Sequence, residues 1–176
     1  MKVYVARHGQ TQWNAENKVC GRTDQPLTEV GLSQAQLLAE RTKDLKIDVI
    51  ISSPLLRAQQ TAEPTAALHG VEILLDDRLI EQHYGIYEGV DRQDEGFLSN
   101  KRHFAVRYPG GESMMDVAYR VYSLLEEIKV RYAGRNVLLV CHGGICRVIR
   151  TYFEDMTNDA YFRYSEENAA VREYNM

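Results

Sequence analysis

Four short apolar runs, separated by longer segments with helical periodicity, constrain the fold of this chain more than any other feature. The runs are Val3 to Ala6, Asp48 to Ser52, Val71 to Leu75 and Asn136 to Cys141. Continuous apolar character is typical of parallel strands that are buried on both faces of a sheet. Ala169 to Tyr174 alternates enough to predict a short final strand. Because strands alternate with helical segments, the sequence predicts a layered α/β domain.

Two of the predicted helices begin with clear capping residues. Thr28 predicts the N-cap of an amphipathic helix that continues through Leu45. Ser113, followed three residues later by Asp116, matches a short-armed capping box before apolar positions that recur at helical intervals to Tyr132. We expect this second helix mainly to supply apolar side chains to the hydrophobic core.

The other two helical segments are marked by proline and glycine. Pro54 begins a predicted helix, since a proline in the first turn removes no needed donor. Pro64 lies within the same segment, and its ring would disrupt an uninterrupted helix, so we expect a kink or local break near Ala62. Gly143-Gly144 opens the last predicted helix.

Length and composition predict one domain over residues 1–176 and place limits on its partners. The chain has 176 residues, 44% of them hydrophobic, and a net charge of −4. These values suit a single core and give no reason to expect nucleic acid or an anionic membrane surface as a partner. The N-terminus lacks the pattern of a secretory signal, so we expect a cytoplasmic protein. The oligomeric state stays open. The polar stretch from Asp91 to Tyr108 indicates an insertion near 91–112 at the mouth of a site.

Cysteine and histidine spacings predict neither disulfides nor a metal site. Cys20, Cys141 and Cys146 form an odd set without a Cys-x-x-Cys pair, and Cys141 lies in an apolar run, which is typical of a small core residue. The five histidines are scattered, with no His-Glu-x-x-His motif and no phosphate-binding loop of the P-loop type. We therefore expect no metal.

Basic side chains follow three of the predicted strands at their carboxyl ends. Arg7 and His8 come directly after the first run, Arg57 follows the second within one turn, and His142 ends the fourth. Carboxyl ends of parallel strands meet at one edge of a sheet, where open α/β folds bind ligands. Taken alone, an arginine or histidine at such a place is more often an ordinary polar residue. Together, guanidinium donors beside Gly9 predict a phosphate ligand.

The motifs of this chain, in their order and spacing from Met1 to about Arg150, resemble those of the histidine phosphatase superfamily, also called the phosphoglycerate mutase-like family. The residues that carry the resemblance are Arg7-His8-Gly9-Gln10-Thr11, Asn14, Gly21 to Thr28, Ser52 to Ala62, Glu81 with Tyr84-Gly85 and Glu88-Gly89, Pro109 to Ser113, and Val140 to Gly144. The resemblance implies a three-layer α/β/α sandwich with a mostly parallel sheet.

The resemblance also implies roles for individual residues. His8 would be the nucleophile, because a neutral imidazole nitrogen can attack phosphorus and hold the phosphoryl group. Glu81 would be the general acid and later the general base. His142 would assist catalysis and, with the remaining residues, bind phosphate. The implied phosphate-binding set is Arg7, Asn14, Arg57 and His142, and the predicted substrate-binding set is Gly21, Arg22, Thr23 and Tyr84.

Three functions remain open, and a metal-independent phosphatase for a small phosphorylated metabolite comes first. The interval from Gln82 to Cys141 is short, and Val106 to Pro109 stands where mutases of the family carry an arginine pair. Against this, Glu81 to Gly85 resembles the mutase version of the acid-bearing segment, so phosphoglycerate mutase is the alternative. We expect no cofactor for a phosphatase and 2,3-bisphosphoglycerate for a mutase. A catalytically silent phospholigand-binding domain is the third possibility, since fold does not settle activity.

Overall fold

A five-stranded sheet forms the centre of the computed structural model, which describes residues 1–176. Its strands are β1 (Lys2–Arg7), β2 (Val49–Ser52), β3 (Ile73–Leu75), β4 (Val137–Cys141) and β5 (Val171–Asn175). The spatial order is β3-β2-β4-β1-β5. Only β5 runs antiparallel, against β1. The predicted mostly parallel sheet is therefore confirmed, with the final strand at one edge.

Seven helices connect and flank these strands. They are α1 (Gln12–Ala15), α2 (Glu29–Thr42), α3 (Leu56–His69), α4 (Glu95–Lys101), α5 (Met114–Arg131), α6 (Gly143–Phe153) and α7 (Asn158–Arg163). Short 3₁₀ turns occur at Asp77–Leu79 and Gly85–Tyr87. None of the helices combines the length and the apolar character needed to span a bilayer.

Successive residues of the central strands face two separate apolar cores. Leu139 of β4 packs in a core with side chains of α5 and α6, whereas its neighbours Leu138 and Val140 pack in a second core with side chains of α2 and α3. This alternation follows from the two-residue period of a strand. Helices therefore cover both faces of the sheet, which confirms the three-layer α/β/α arrangement.

The predicted capping residues form the expected hydrogen bonds. The Thr28 hydroxyl accepts the Gly31 N–H at 3.1 Å at the start of α2. At the start of α5, the Ser113 hydroxyl accepts the Asp116 N–H at 3.1 Å, and the Asp116 carboxylate accepts the Ser113 N–H at 2.9 Å. Both helix starts are thus fixed by local side chains, as the sequence indicates.

Pro64 does not break its helix. Helix α3 runs from Leu56 to His69 with Pro64 inside it, so the predicted local break near Ala62 is wrong. Ala58 and Ala62 are fully buried in the core between α3 and the sheet. Packing of this small-residue face stabilises the helix enough to offset the hydrogen bond that proline removes.

Strand β3 also differs from its prediction, because it is not buried on both faces. It pairs only with β2 and forms an edge of the sheet. Leu74 and Leu75 are 38% and 53% exposed. The apolar run correctly predicts a strand, but composition alone does not distinguish an edge position from a central one.

The predicted insertion contains a helix of its own. Residues 91–112 include α4, which Asp94 caps by accepting the Phe97 N–H at 2.9 Å. Phe97 is buried with Val19 and Tyr108 in a small apolar cluster apart from the two main cores. The insertion is therefore anchored to the body of the protein by two of its own aromatic residues, Phe97 and Tyr108.

Candidate functional site

A cavity of about 230 Å³ opens at the carboxyl edge of the parallel strands. His8 follows β1, and His142 follows β4 directly. The two imidazole rings lie 5.0 Å apart between centroids. Of the predicted site residues, those lining the cavity are Arg7, His8, Asn14, Glu81 and Tyr84. The strand ends therefore bring Arg7 and His8 to the cavity, whereas His142, a predicted catalytic and phosphate-binding residue, is fully buried beside His8 and does not line the cavity.

His8 is held in one neutral tautomer. Its Nδ1 lies 2.6 Å from the carbonyl oxygen of Gly9, and a carbonyl can only accept, so Nδ1 carries the proton and donates it. The lone pair is consequently on Nε2. Burial first, and then the positive charges of Arg57 and Arg7, hold the pKa of His8 well below its usual value. An unprotonated Nε2 is the form that can act as a nucleophile.

Two polar side chains from distant parts of the sequence fix the backbone around this histidine. Asn168 donates from Nδ2 to the carbonyl oxygen of His8 at 2.7 Å. The Thr61 hydroxyl accepts the Gly9 N–H at 2.9 Å. A side chain at Gly9 would place its Cβ 2.6 Å from the Gly31 carbonyl oxygen, so the loop passes α2 too closely for any other residue. The sequence predicts no role for Asn168, and none for Thr61 beyond its place in the motif from Ser52 to Ala62.

His142 is linked to Arg57 and Ser53 in a buried chain of hydrogen bonds. Arg57 donates from Nε to His142 Nδ1 at 3.2 Å, and His142 Nε2 lies 2.8 Å from the Ser53 hydroxyl. Because Nδ1 accepts from a guanidinium, the ring proton is on Nε2. Burial and the adjacent Arg57 charge lower the pKa of His142. His142 is thus a neutral donor directed by Arg57.

Arg57 is fully buried and does not line the cavity. Its Nη1 donates to the Thr23 carbonyl at 2.9 Å and its Nη2 to the Gly21 carbonyl at 2.6 Å. Every nitrogen of the guanidinium therefore has a protein acceptor, and no carboxylate neutralises it. The predicted phosphate-binding arginine lies directly behind His142, where its positive charge favours an anion in the cavity.

Glu81 is buried at the N-terminus of α6. One carboxylate oxygen accepts the Gly144 N–H at 3.0 Å, and the other accepts the Gln82 N–H at 2.9 Å. Negative groups are favoured at such helix ends. A Cβ on Gly144 would lie 2.5 Å from the Glu81 Oε1 atom, so glycine allows the carboxylate to approach the helix. The N–H groups of Gly144 and Gln82 fix the position of the Glu81 carboxyl group, and the lack of a side chain at Gly144 leaves room for it.

Arg7 and Asn14 form another part of the cavity wall. Arg7 donates from Nη1 to the Glu166 carbonyl at 2.5 Å, while its buried Nε has no hydrogen-bond partner. Asn14 accepts the Thr11 N–H through Oδ1 at 3.1 Å as part of the cap of α1. An unpartnered guanidinium nitrogen in a cavity fits an anionic ligand, because an oxygen of that ligand would satisfy it.

The predicted substrate-binding residues divide into two groups. Tyr84 lines the cavity, whereas Gly21, Arg22 and Thr23 do not. Their backbone N–H groups bind the carboxylate of Glu88, at 3.1, 3.0 and 3.3 Å respectively. In this structure the segment therefore wraps around an internal carboxylate, and its geometry does not support the expected contact with substrate.

The insertion, which the sequence predicts at the mouth of the site, supplies side chains for which the sequence predicts no individual role. Arg92, Lys101 and Tyr108 all line the cavity, and α6 adds Arg147. No group of three or more histidine, cysteine, aspartate or glutamate side chains is arranged to hold a metal ion. Cys141 is buried in the core as predicted, with its sulfur 3.6 Å from that of Cys146.

Comparisons with known proteins cover nearly the whole chain. A sequence model of the histidine phosphatase superfamily (branch 1) matches residues 3–176. A probable phosphoglycerate mutase GpmB from Escherichia fergusonii is 41% identical over 150 residues, which cover 81% of this chain and 70% of that protein. A mycobacterial glucosyl-3-phosphoglycerate phosphatase, solved in complex with VO3, is 29% identical with a TM-score of 0.87, over 98% of this chain and 90% of that one. A Thermus thermophilus protein, TTHB049, is 32% identical with a TM-score of 0.78, over 98% and 92%.

Proposed function

Because the chain belongs to the histidine phosphatase superfamily, whose members are enzymes, we propose that it is a phosphomonoester hydrolase for a small phosphorylated metabolite, acting through a phosphohistidine at His8. The observation that carries this proposal is the hydrogen bond from His8 Nδ1 to the Gly9 carbonyl. That bond leaves the Nε2 lone pair of a neutral imidazole available in a cavity with basic walls.

In the first half of the reaction, Nε2 of His8 attacks phosphorus. The new N–P bond forms as the P–O bond to the substrate alcohol breaks, and Glu81 in its acid form donates a proton to the departing oxygen. Arg7 compensates the charge on the non-bridging phosphate oxygens, and the neutral His142 ring, which lies beside His8, accepts a hydrogen bond from the positively charged Arg57 behind it. Asn14 is a further polar contact for the phosphate.

In the second half, water replaces the alcohol. The Glu81 carboxylate takes a proton from water as its oxygen attacks phosphorus, the N–P bond breaks, and inorganic phosphate leaves with His8 neutral again. Arg57 contributes through His142, because the hydrogen bond from Arg57 Nε to His142 Nδ1 keeps the ring proton on Nε2. No step requires a metal ion, so we expect full activity in the presence of EDTA.

Phosphoglycerate mutase is the alternative, and one observation favours it. The relative that is 41% identical bears the name of a probable phosphoglycerate mutase. A mutase would use the same phosphohistidine but return the phosphoryl group to a second hydroxyl of the substrate. It would need priming by a bisphosphoglycerate.

The test is a phosphate-release screen over metabolite esters in EDTA, run beside an isomerisation assay with 3-phosphoglycerate and its bisphosphate. We expect release from several esters, and we expect His8→Ala to abolish it while the protein still folds. His103→Ala is the matched control, since His103 is exposed and outside the cavity. Isomerisation without release would favour the mutase. Unchanged release in His8→Ala, or inactivity of the wild type in both assays, would contradict the proposal.

A further inference from the structure

The motif from Pro109 to Ser113 supplies no group to the proposed phosphoryl transfer, yet its backbone lies against the turn that carries Glu81. This acid-bearing turn, residues 81–84, belongs to no helix or strand, so contacts from other parts of the chain must fix its shape. A Cβ at Gly111 would overlap the His83 carbonyl oxygen. Glycine therefore allows the motif and the acid-bearing turn to meet backbone to backbone.

Glu112 binds both of the residues that follow Glu81. Its carboxylate accepts the His83 N–H at 2.9 Å, and its own N–H donates to the His83 carbonyl at 2.9 Å. The side-chain amide of Gln82 donates to the Glu112 carbonyl at 3.2 Å. Gln82 is buried, and its backbone N–H donates to the Glu81 carboxylate at 2.9 Å. Glu112 therefore fixes Gln82, the residue whose N–H holds the catalytic carboxylate.

Arg120 connects Glu112 to α5, the helix that packs in the larger apolar core. Its guanidinium donates from Nε to Glu112 Oε1 at 3.1 Å and from Nη2 to Oε2 at 3.2 Å. A bidentate pair of this kind fixes the orientation of the carboxylate. The third nitrogen, Nη1, donates at 2.5 Å to the carbonyl of Arg78, three residues before Glu81. One arginine–carboxylate pair thus holds the chain on both sides of Glu81.

The Glu112 carboxylate has donors on both oxygens and no contact with the cavity. Arg22 adds a third guanidinium contact, from Nη2 to Oε1 at 3.1 Å, so each oxygen accepts two donors. Burial raises the pKa of Glu112, but the charge of Arg120 and the hydrogen bond from His83 more than offset it and hold the pKa below its usual value. Because Glu112 does not line the cavity, it can act on the reaction only through the acid-bearing turn.

We propose that Glu112, oriented by Arg120, is a positioning residue for proton transfer, which holds Glu81 at the leaving oxygen through His83 and Gln82. This inference rests on the proposed function, in which Glu81 protonates the departing alcohol. Catalytic groups lose rate steeply when they are displaced by about 1 Å. Loss of the Glu112 carboxylate should therefore slow the step in which a proton from Glu81 is needed.

Glu112→Gln is the most informative variant. It keeps the size of the side chain and the backbone bonds of residue 112, but an amide nitrogen cannot accept the two donors that a carboxylate oxygen binds. Asp48→Asn is the matched control, because the Asp48 carboxylate also accepts a backbone N–H, from Asn136 at 2.8 Å, and is 21% exposed against 20% for Glu112. Asp48 precedes β2, at the edge of the sheet opposite the cavity. Should Glu112→Gln fail to fold, Glu112→Asp, which keeps the charge but withdraws it by one methylene, takes its place.

Hydrogen exchange of single backbone amides, followed by NMR, measures the positioning without reference to activity. We expect Glu112→Gln to speed exchange of the Gln82 N–H at least about tenfold, because its acceptor is the Glu81 carboxylate. Asp48→Asn should leave the exchange rate of Gln82 unchanged. Unchanged exchange at Gln82 in Glu112→Gln would overturn the inference, whatever the activity.

Kinetics separate positioning from a merely structural role. We expect Glu112→Gln to lower kcat for glycerol 3-phosphate at least about tenfold. The burst of nitrophenolate from p-nitrophenyl phosphate should stay within about threefold of the wild-type rate, because nitrophenolate departs without a proton from Glu81. An equal loss in both measurements, or an unchanged kcat for glycerol 3-phosphate, would overturn the inference. Faster exchange at Gln82 in a protein whose wild type releases no phosphate would instead contradict the hydrolase and leave Glu112 as the residue that positions Glu81.

Discussion

Replacing Gly144 by alanine should separate the role of Glu81 from the folding of the protein. A Cβ at this position would lie 2.5 Å from Glu81 Oε1, where ordinary contacts begin at 3.4 Å, so the carboxylate must move by about 0.9 Å. The obstructed atom is the end of a side chain, so the backbone can stay in place. Alanine also favours a helix over glycine by about 1 kcal/mol. We therefore expect a folded protein with a displaced acid.

A displacement of about 1 Å in a catalytic group costs on the order of 100-fold in rate. The loss should depend on the leaving group, because an alkoxide needs a proton from Glu81 and a nitrophenolate does not. We expect Gly144→Ala to lower kcat for glycerol 3-phosphate about 100-fold. Stopped-flow mixing with p-nitrophenyl phosphate should still show a burst of nitrophenolate as His8 is phosphorylated, followed by slow turnover while water is poorly activated.

Gly143→Ala provides the matched control. It makes the same change one residue earlier in α6, but the nearest atom to its Cβ would be Arg7 Nε at 3.6 Å, which is an ordinary contact. We expect its rates to stay within threefold of the wild type. Two results would refute the assignment of Glu81 as the proton donor. One is turnover of glycerol 3-phosphate by Gly144→Ala at the wild-type rate. The other is an equal reduction of the burst rate and the steady-state rate with p-nitrophenyl phosphate.

Three further predictions concern stability and positioning. Burial and the charge of Arg57 lower the pKa of His8 and His142, so below the unfolded pKa of about 6.5 the unfolded chain binds more protons than the folded protein. Urea titrations should therefore show the free energy of unfolding falling as the pH is lowered from about 7.5 to 5.5, by up to about 1.4 kcal/mol per pH unit for each histidine. A free energy of unfolding that stays constant over this range would contradict the two neutral tautomers. Asn168→Asp removes the donor to the His8 carbonyl and should lower kcat about tenfold with little change in KM; steady-state kinetics would show the opposite split if Asn168 served binding. Ser113→Ala should destabilise the protein by about 1 kcal/mol through loss of the capping box of α5 without changing kcat, as measured by urea unfolding and phosphate release.

The sequence is sufficient to predict the layers of this fold because its strongest signals are local. All five residues of β4 are buried, and a continuous apolar run is typical of a strand that is covered on both faces of the sheet. The caps at Thr28 and Ser113 also form within three residues of their partners. Strand direction, which the sequence predicts, places His8 and His142 at the same edge of the sheet, and the two meet because β1 and β4 are also neighbours, which the sequence does not predict.

The remaining features depend on partners that no local pattern identifies. Asn168 and His8 are 160 residues apart in the chain, and Thr61 and Gly9 are 52 apart. Pro64 lies inside a continuous helix despite the low helix propensity of proline, because tertiary packing stabilises that helix. The segment from Gly21 to Thr23 matches a family motif, yet its backbone donors meet Glu88, and sequence cannot tell an internal carboxylate from a ligand.

The segment from Gly21 to Thr23 links Arg57 and His142 to Glu88, a carboxylate that does not itself line the cavity. Glu88 attracts the amide hydrogens of Gly21 and Thr23, while Arg57 attracts their carbonyl oxygens. The Gly21–Arg22 peptide group, whose N–H binds Glu88 and whose carbonyl binds Arg57, is thereby polarised between an anion and a cation, and the cation in turn orients His142. Random mutagenesis with a colony colour screen should accordingly recover substitutions at Glu88 that abolish activity. A search limited to residues that contact the phosphate would not include Glu88.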